Sequence, residues 1–243
     1  MGFSIEVREK DGVRSLHFES PATQGAMRIE RPYELVLEYT RAMMAPLLLR
    51  DEGFPQRVLL IGLGAGSQAK FLYHHYPQAQ LTAVEISPRV VQVAREQFAL
   101  PADDERLQVV VADGYAFMHG ATDGYDLIVV DGFNEHAHPG DLNTRAFYAA
   151  CRERLRADGI LAVNLIGLSH KVKGGFAYLE ALFGERACLL PRCHSGNTIA
   201  LAAHGARIEL GAEALQARAV VLRERCGLDL TALVARLPEG LRL

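Results

Sequence analysis

The chain has 243 residues, 49% of them apolar and 23% charged, with a formal net charge of −3. That length suits one large α/β domain with a small appendage and is cramped for two full domains. No basic run offers a footprint for nucleic acid or an anionic membrane, and no apolar stretch approaches the ~20 residues of a membrane span, so the expected partner is a small molecule.

The N-terminus, MGFSIEVREKDGV, has no apolar segment behind a basic start, so the cytoplasm is the expected location. Residues 3–29 alternate short β-like pieces (FSIEV, VRSLHF, GAMRI) with turn residues, which predicts a small antiparallel hairpin region over residues 1–31. One larger domain is expected over residues 32–243. At its start Pro32 stands where a first helical turn tolerates it. Leu35, Val36, Tyr39, Met43 and Leu47 then recur at helical spacing, predicting a helix that Pro46 kinks or shortens.

From Arg57 onward, aliphatic runs alternate with amphipathic stretches. RVLLIG precedes SQAKFLYHHY, LTAVEI precedes PRVVQVAREQF, and LQVVVAD precedes YAFMH; YDLIVVDG and GILAVNLI are followed by NTRAFYAACRERL and GGFAYLEALF. Five such units, with strands apolar on both faces, predict a doubly wound parallel sheet covered by helices on both sides. ERACLLP and NTIALAAH predict a final antiparallel hairpin, which brings the mostly parallel sheet to seven strands. Two polar helices, from about Glu213 and Leu230, close the chain. Cys151, Cys188, Cys193 and Cys226 show no CxxC pair, so buried thiols are expected in preference to disulfides, zinc or a reactive Cys193-His194 pair.

Ligands of such sheets sit at the carboxyl ends of the strands. After the first parallel strand comes Gly62-Leu63-Gly64-Ala65-Gly66, a tight turn opening a helix, although Ser67 stands where the dinucleotide fingerprint has its third glycine. Glu85 follows 23 residues after Gly62, a separation suited to a carboxylate that accepts from ribose hydroxyls. Asp113-Gly114 and Asp131 end the next two strands. Alone, Asp113 reads as a helix cap and Asp131 as a turn cap. Together with the glycine loop and Glu85 they predict a nucleoside site. His136 and His138 have HxH spacing without further organised ligands, so they read as loop histidines and no metal is expected.

VLLIGLGAGS, LTAVEIS, LQVVVADGYAFM and YDLIVVDGF match, in order, the strand ends of class I S-adenosylmethionine-dependent methyltransferases, a Rossmann-like fold. The chain more closely resembles the spermidine synthases, the polyamine aminopropyltransferases built on that fold. VADGYAFM, LNTRAFYAACRERLRADGILAVN and CHSGNTIALA are similar to that family's G-D-G-x-x-F, L-F-x-x-x-F-Y…G-(I/V)-L-x-x-Q and P-S-G segments. The likeness spans roughly residues 20–203. It implies decarboxylated S-adenosylmethionine as donor, an amine as acceptor and methylthioadenosine as by-product. It also implies donor contacts from Gln24, Gly62, Gly64, Gly66, Glu85, Ile86, Asp113 and Gly114, acceptor contacts from Tyr39, Asn134 and Glu135, and Asp131 as the base. The family tends to form dimers, which leaves a homodimer open.

Three positions depart from the family pattern. Ala65 replaces the aspartate that holds the donor's ammonium, Asn134 replaces the second carboxylate of the acceptor loop, and Arg41 stands where the family has glutamate. Glu135, next along, is a shifted carboxylate that could take over from Asn134. The expectation is therefore an aminopropyltransferase with a kept nucleoside site and an altered acceptor site. The alternatives are a methyltransferase using S-adenosylmethionine and a nucleoside-binding homologue without turnover.

Overall fold

The structure is a computed structural model that describes residues 4–19, 23–120, 124–134, 136, 138–167 and 169–243. The N-terminal pieces form three antiparallel strands, β1 (Ile5–Lys10), β2 (Val13–Phe18) and β3 (Thr23–Arg28), one more than a hairpin. Leu16, Phe18 and Met27 of this small sheet bury against Ala65, Val90 and Phe98, which brings β3 over the glycine loop.

The helix expected from Pro32 onward is cut to α1 (Glu38–Ala42), followed by a 3-10 turn at Ala45–Leu48. Arg41 Nη1 donates to the carbonyls of Leu35 (3.0 Å) and Val36 (2.7 Å), holding them outside the helix. Pro46 lacks the N–H that would continue it, and the chain closes tighter bonds instead, from Met44 N–H to Arg41 O and from Leu47 N–H to Met44 O.

β4 (Arg57–Ile61), β5 (Gln80–Glu85), β6 (Leu107–Val111), β7 (Tyr125–Val130) and β8 (Leu155–Ile166) pair in parallel, and β9 (Ala187–Leu189) and β10 (Asn197–Ala203) add the antiparallel hairpin. The order β6-β5-β4-β7-β8-β10-β9 reverses between β4 and β7. There the following loops part and leave a crevice.

Alternate residues of each central strand feed two cores. Val58, Leu60, Leu127 and Val129 face α2 (Ser67–His75) and α7 (Ala212–Cys226), whereas Leu59, Ile61, Ile128 and Val130 face α5 (Arg145–Arg154) and α6 (Ser169–Phe183). Fully burying such an aliphatic side chain contributes ~1.5–3 kcal/mol, so both faces stabilise the sheet that carries the site. α3 (Pro88–Gln97) starts at Ser87, whose side chain accepts from Val90 N–H, with Pro88 preset in the first turn.

α6 begins at Ser169, ahead of the expected GGFAYLEALF, and runs through Gly174 and Gly175. Close packing favours Gly175, since a Cβ there would come 2.6 Å from the Asn143 amide oxygen. α4 (Gly114–Gly120), α8 (Thr231–Val234) and the β11 (Glu209–Leu210)–β12 (Leu241–Arg242) pair complete the fold. No helix among the described residues is long and apolar enough to cross a membrane, and the four cysteines are free.

Candidate functional site

The carboxyl ends of β4 to β8, the start of β10 and the β3–α1 segment enclose a cavity of about 920 Å³. Gly62 has φ +93°, and a Cβ built on it would come 2.4 Å from the Asp131 carbonyl oxygen. Only glycine lets the ends of β4 and β7 approach this closely. Gly64 and Ala65 continue the wall. Gly66 stands behind it, as the left-handed N-cap of α2.

Glu85 is only 9% exposed, and its carboxylate is bonded twice by backbone, from Leu63 N–H to Oε2 and from Ser87 N–H to Oε1, both at 3.0 Å. It braces the glycine loop and lines the cavity with the same group. Ile86 beside it is 66% exposed and presents apolar surface to the cavity. Asp113 has the cap role that its sequence context suggests, since its Oδ1 accepts from Ala116 N–H at 2.8 Å at the start of α4, and it lines the cavity too, as does Gly114. Gln24 faces the cavity from β3.

Asp131 follows β7 at the point of reversal. Its carboxylate is bonded by side chains from two other elements rather than by the amides of its own turn: Asn164 Nδ2 of β8 donates to Oδ1 at 2.7 Å, and Tyr39 of α1 is a second hydrogen-bond partner. Burial raises the Asp131 carboxyl to about 7, against the opposing pull of Asn164 and Tyr39. Tyr39 is itself pushed well above the usual phenol value, by burial first and then by the Asp131 charge. A carboxyl that changes charge near neutrality, on a rigid strand end facing a cavity, can take a proton from a bound group.

Asn134, Glu135 and Arg41 are the remaining positions that the family pattern singles out. Asn134 lines the cavity, but its Oδ1 accepts from His136 N–H (3.0 Å) and His138 N–H (2.9 Å), so it shapes its own loop. Glu135 lies outside the described residues. Arg41 bonds backbone carbonyls and is not among the cavity-lining residues, whereas its neighbour Glu38 is. Burial works against the Glu38 charge, but the backbone N–H and ring of His194, with Arg236, outweigh it and hold the carboxyl below its usual value.

Glu38, Asn164, Ser195 and Asn197 all line the cavity and are absent from the residues that sequence reasoning selects. Asn164 and Ser195 sit inside GILAVN and CHSGN, segments similar to family motifs, so a signal for them existed. Glu38 had none beyond its place next to Tyr39. In sum of charge, the wall carries Glu38, Glu85, Asp113, Asp131 and Asp141, with no lysine or arginine among its described lining residues.

A family model for the spermine/spermidine synthase domain matches residues 37–165. The polyamine aminopropyltransferase of Neisseria meningitidis is 34% identical over 233 residues, covering 96% of this chain and 88% of the relative. Human methyltransferase-like protein 13, solved with SAH, superposes with a TM-score of 0.70 at 26% identity, covering 79% of this chain and 93% of its own. A probable spermidine synthase from Corynebacterium glutamicum gives a TM-score of 0.76 at 21% identity, covering 90% and 84%, a likeness of fold.

Proposed function

The chain belongs to the spermine/spermidine synthase family, and on that premise we propose that it uses decarboxylated S-adenosylmethionine as donor and Asp131 as the group that orients and deprotonates the acceptor amine. One observation carries the choice of donor: five carboxylates and no lysine or arginine line the cavity among its described residues. The decarboxylated donor brings a sulfonium and an ammonium, and a polyamine acceptor brings further positive charge. Both match this wall. Ordinary S-adenosylmethionine adds a carboxylate, and no lysine or arginine stands among the described lining residues to meet it.

In the proposed step the acceptor's nitrogen lone pair forms a bond to the aminopropyl carbon next to sulfur. The carbon–sulfur bond breaks with its electron pair left on sulfur, giving neutral methylthioadenosine. The proton lost by the amine passes to Asp131. A free alkyl amine has a pKa near lysine's ~10.4, so it reaches the site protonated, and an ionised Asp131 both attracts it and removes the proton. Glu85 and Asp113, with Gln24, Gly62, Gly64, Ile86 and Gly114, would hold the nucleoside; Tyr39 would keep the Asp131 carboxylate in place. Asn134 lines the acceptor end without a charge, which supports an acceptor preference altered from the family pattern.

Methyl transfer from S-adenosylmethionine is the second reading, and Ala65 favours it by removing the aspartate that the family pattern uses for the donor's ammonium. Incubating the protein with either donor and a panel of amines separates the two. The proposal expects methylthioadenosine and an aminopropylated amine from the decarboxylated donor. Methylated product with S-adenosylhomocysteine would replace it with the second reading.

A further inference from the structure

We propose that Asn164, Asn197 and Ser195 form a positioning relay that reserves one oxygen of Asp131 for the acceptor's proton, an inference that rests on Asp131 being the base. β8 and β10 run antiparallel with Asn164 opposite Ile199 and Asn197 opposite Ile166, so the two asparagines lie diagonally on one face of the sheet. They are 4% and 7% exposed, and one hydrogen bond joins them. Asn197 Nδ2 donates to Asn164 Oδ1 at 3.0 Å, Asn164 Nδ2 donates to Asp131 Oδ1 at 2.7 Å, and Ser195 Oγ donates to Asn197 Oδ1 at 2.7 Å.

The direction of the chain follows from its carboxylate end. An ionised carboxylate only accepts, so Asn164 must turn its NH₂ to Asp131 and its carbonyl to Asn197. Asn197 must then turn its NH₂ to Asn164, and its carbonyl is left to the Ser195 hydroxyl. With both amides in that sense, Asp131 Oδ1 faces an N–H. A proton arriving there would oppose it, and both buried amides would have to invert to accept it. Tyr39, the second partner of this carboxyl, has a hydroxyl that can turn from donor to acceptor, so the oxygen that the amides leave is the one that takes the proton.

The serine end is built as well. Residues 193–197 are closed by Cys193 N–H to Asn197 O (2.8 Å) and Gly196 N–H to Cys193 O (2.9 Å), and Glu38 grips the His194 N–H at 2.7 Å. Among the described residues, Tyr39 of α1 bonds Asp131, and the titratable groups that line the same cavity are Glu38, Glu85, Asp113, Tyr115, His138 and Asp141. Ser195→Ala changes none of them. Ser195 is exposed, so its replacement leaves the core intact.

The test follows the Asp131 carboxyl by ¹³C NMR titration in the wild type, Ser195→Ala and Ser195→Thr, beside kcat against pH. The relay predicts that Ser195→Ala moves the carboxyl titration and the rising limb of kcat to higher pH and lowers kcat about two- to tenfold, as for one weakened hydrogen bond to a charged group. Ser195→Thr restores both. An unmoved carboxyl titration in folded Ser195→Ala would overturn the relay. A moved titration with unmoved turnover would leave the relay standing and overturn Asp131 as the base, so the two failures are distinguishable.

Discussion

Gly25 of β3 lies so close over Ala65 that a Cβ built on Gly25 would come 2.5 Å from the Ala65 Cβ. Ala65, at the position where the family pattern puts an aspartate, is 2% exposed and packs against the N-terminal sheet. Ala65→Asp should therefore fail to restore the family's donor contact. It would press a carboxylate against β3 and lower stability by at least about 2 kcal/mol, read as a drop in Tm. A stable variant with a lower KM for the decarboxylated donor would contradict this packing argument.

Glu85→Ala should weaken methylthioadenosine binding tenfold or more, since a hydrogen bond to a charged group contributes ~1.5–3 kcal/mol. The same change frees the N–H groups of Leu63 and Ser87, so the glycine loop loses its brace. Calorimetry on the folded variant checks it; unchanged affinity would remove Glu85 from the nucleoside site.

Asn134→Asp keeps the acceptor oxygen that His136 N–H and His138 N–H require, so those two bonds should persist while a carboxylate returns to the proposed acceptor end. Putrescine is expected to be a poor acceptor for the wild type. The variant should raise kcat/KM for putrescine about tenfold, in keeping with a regained charge-assisted bond. Efficient spermidine formation by the wild type would show that the acceptor end already has the charge it needs.

The raised Asp131 carboxyl has a consequence for stability. Its folded value, about 7, lies above the ~3.9 of an unfolded aspartate, so the folded state holds the proton more tightly and loses stability as pH rises from about 4 to about 7. Asp131→Asn removes that dependence. The Tm difference, variant minus wild type, should grow across this window and level off above it; a flat difference would mean that the carboxyl is not strained by burial.

Much of this site was legible in the chain because its parts are strand ends. A buried parallel strand is a short aliphatic run, and the residue that ends it is a ligand position by topology, which is how Gly62, Glu85, Asp113 and Asp131 could be picked out together. What could not be read were contacts across distant segments. Asn164 and Asn197 meet only because β8 and β10 pair antiparallel in one register, and Glu38 reaches His194 across 156 positions. The helical spacing after Pro32 was real but incomplete as a signal, since Arg41 and Pro46 redirect the backbone bonds on either side of α1. The charge lost at Ala65 and Asn134 was visible residue by residue. The sum of charge around the cavity required the fold.

Single-turnover aminopropyl transfer by Asp131→Asn, beside nucleoside titration of the same protein, tests the central claim most directly. Asn keeps the shape of the side chain but removes the charge and the base. Turnover should fall by the ~10²–10⁴ typical of a lost general base, with methylthioadenosine affinity nearly unchanged. Near-wild-type turnover by the variant would contradict the account and leave Asp131 as a structural link between Tyr39 and Asn164.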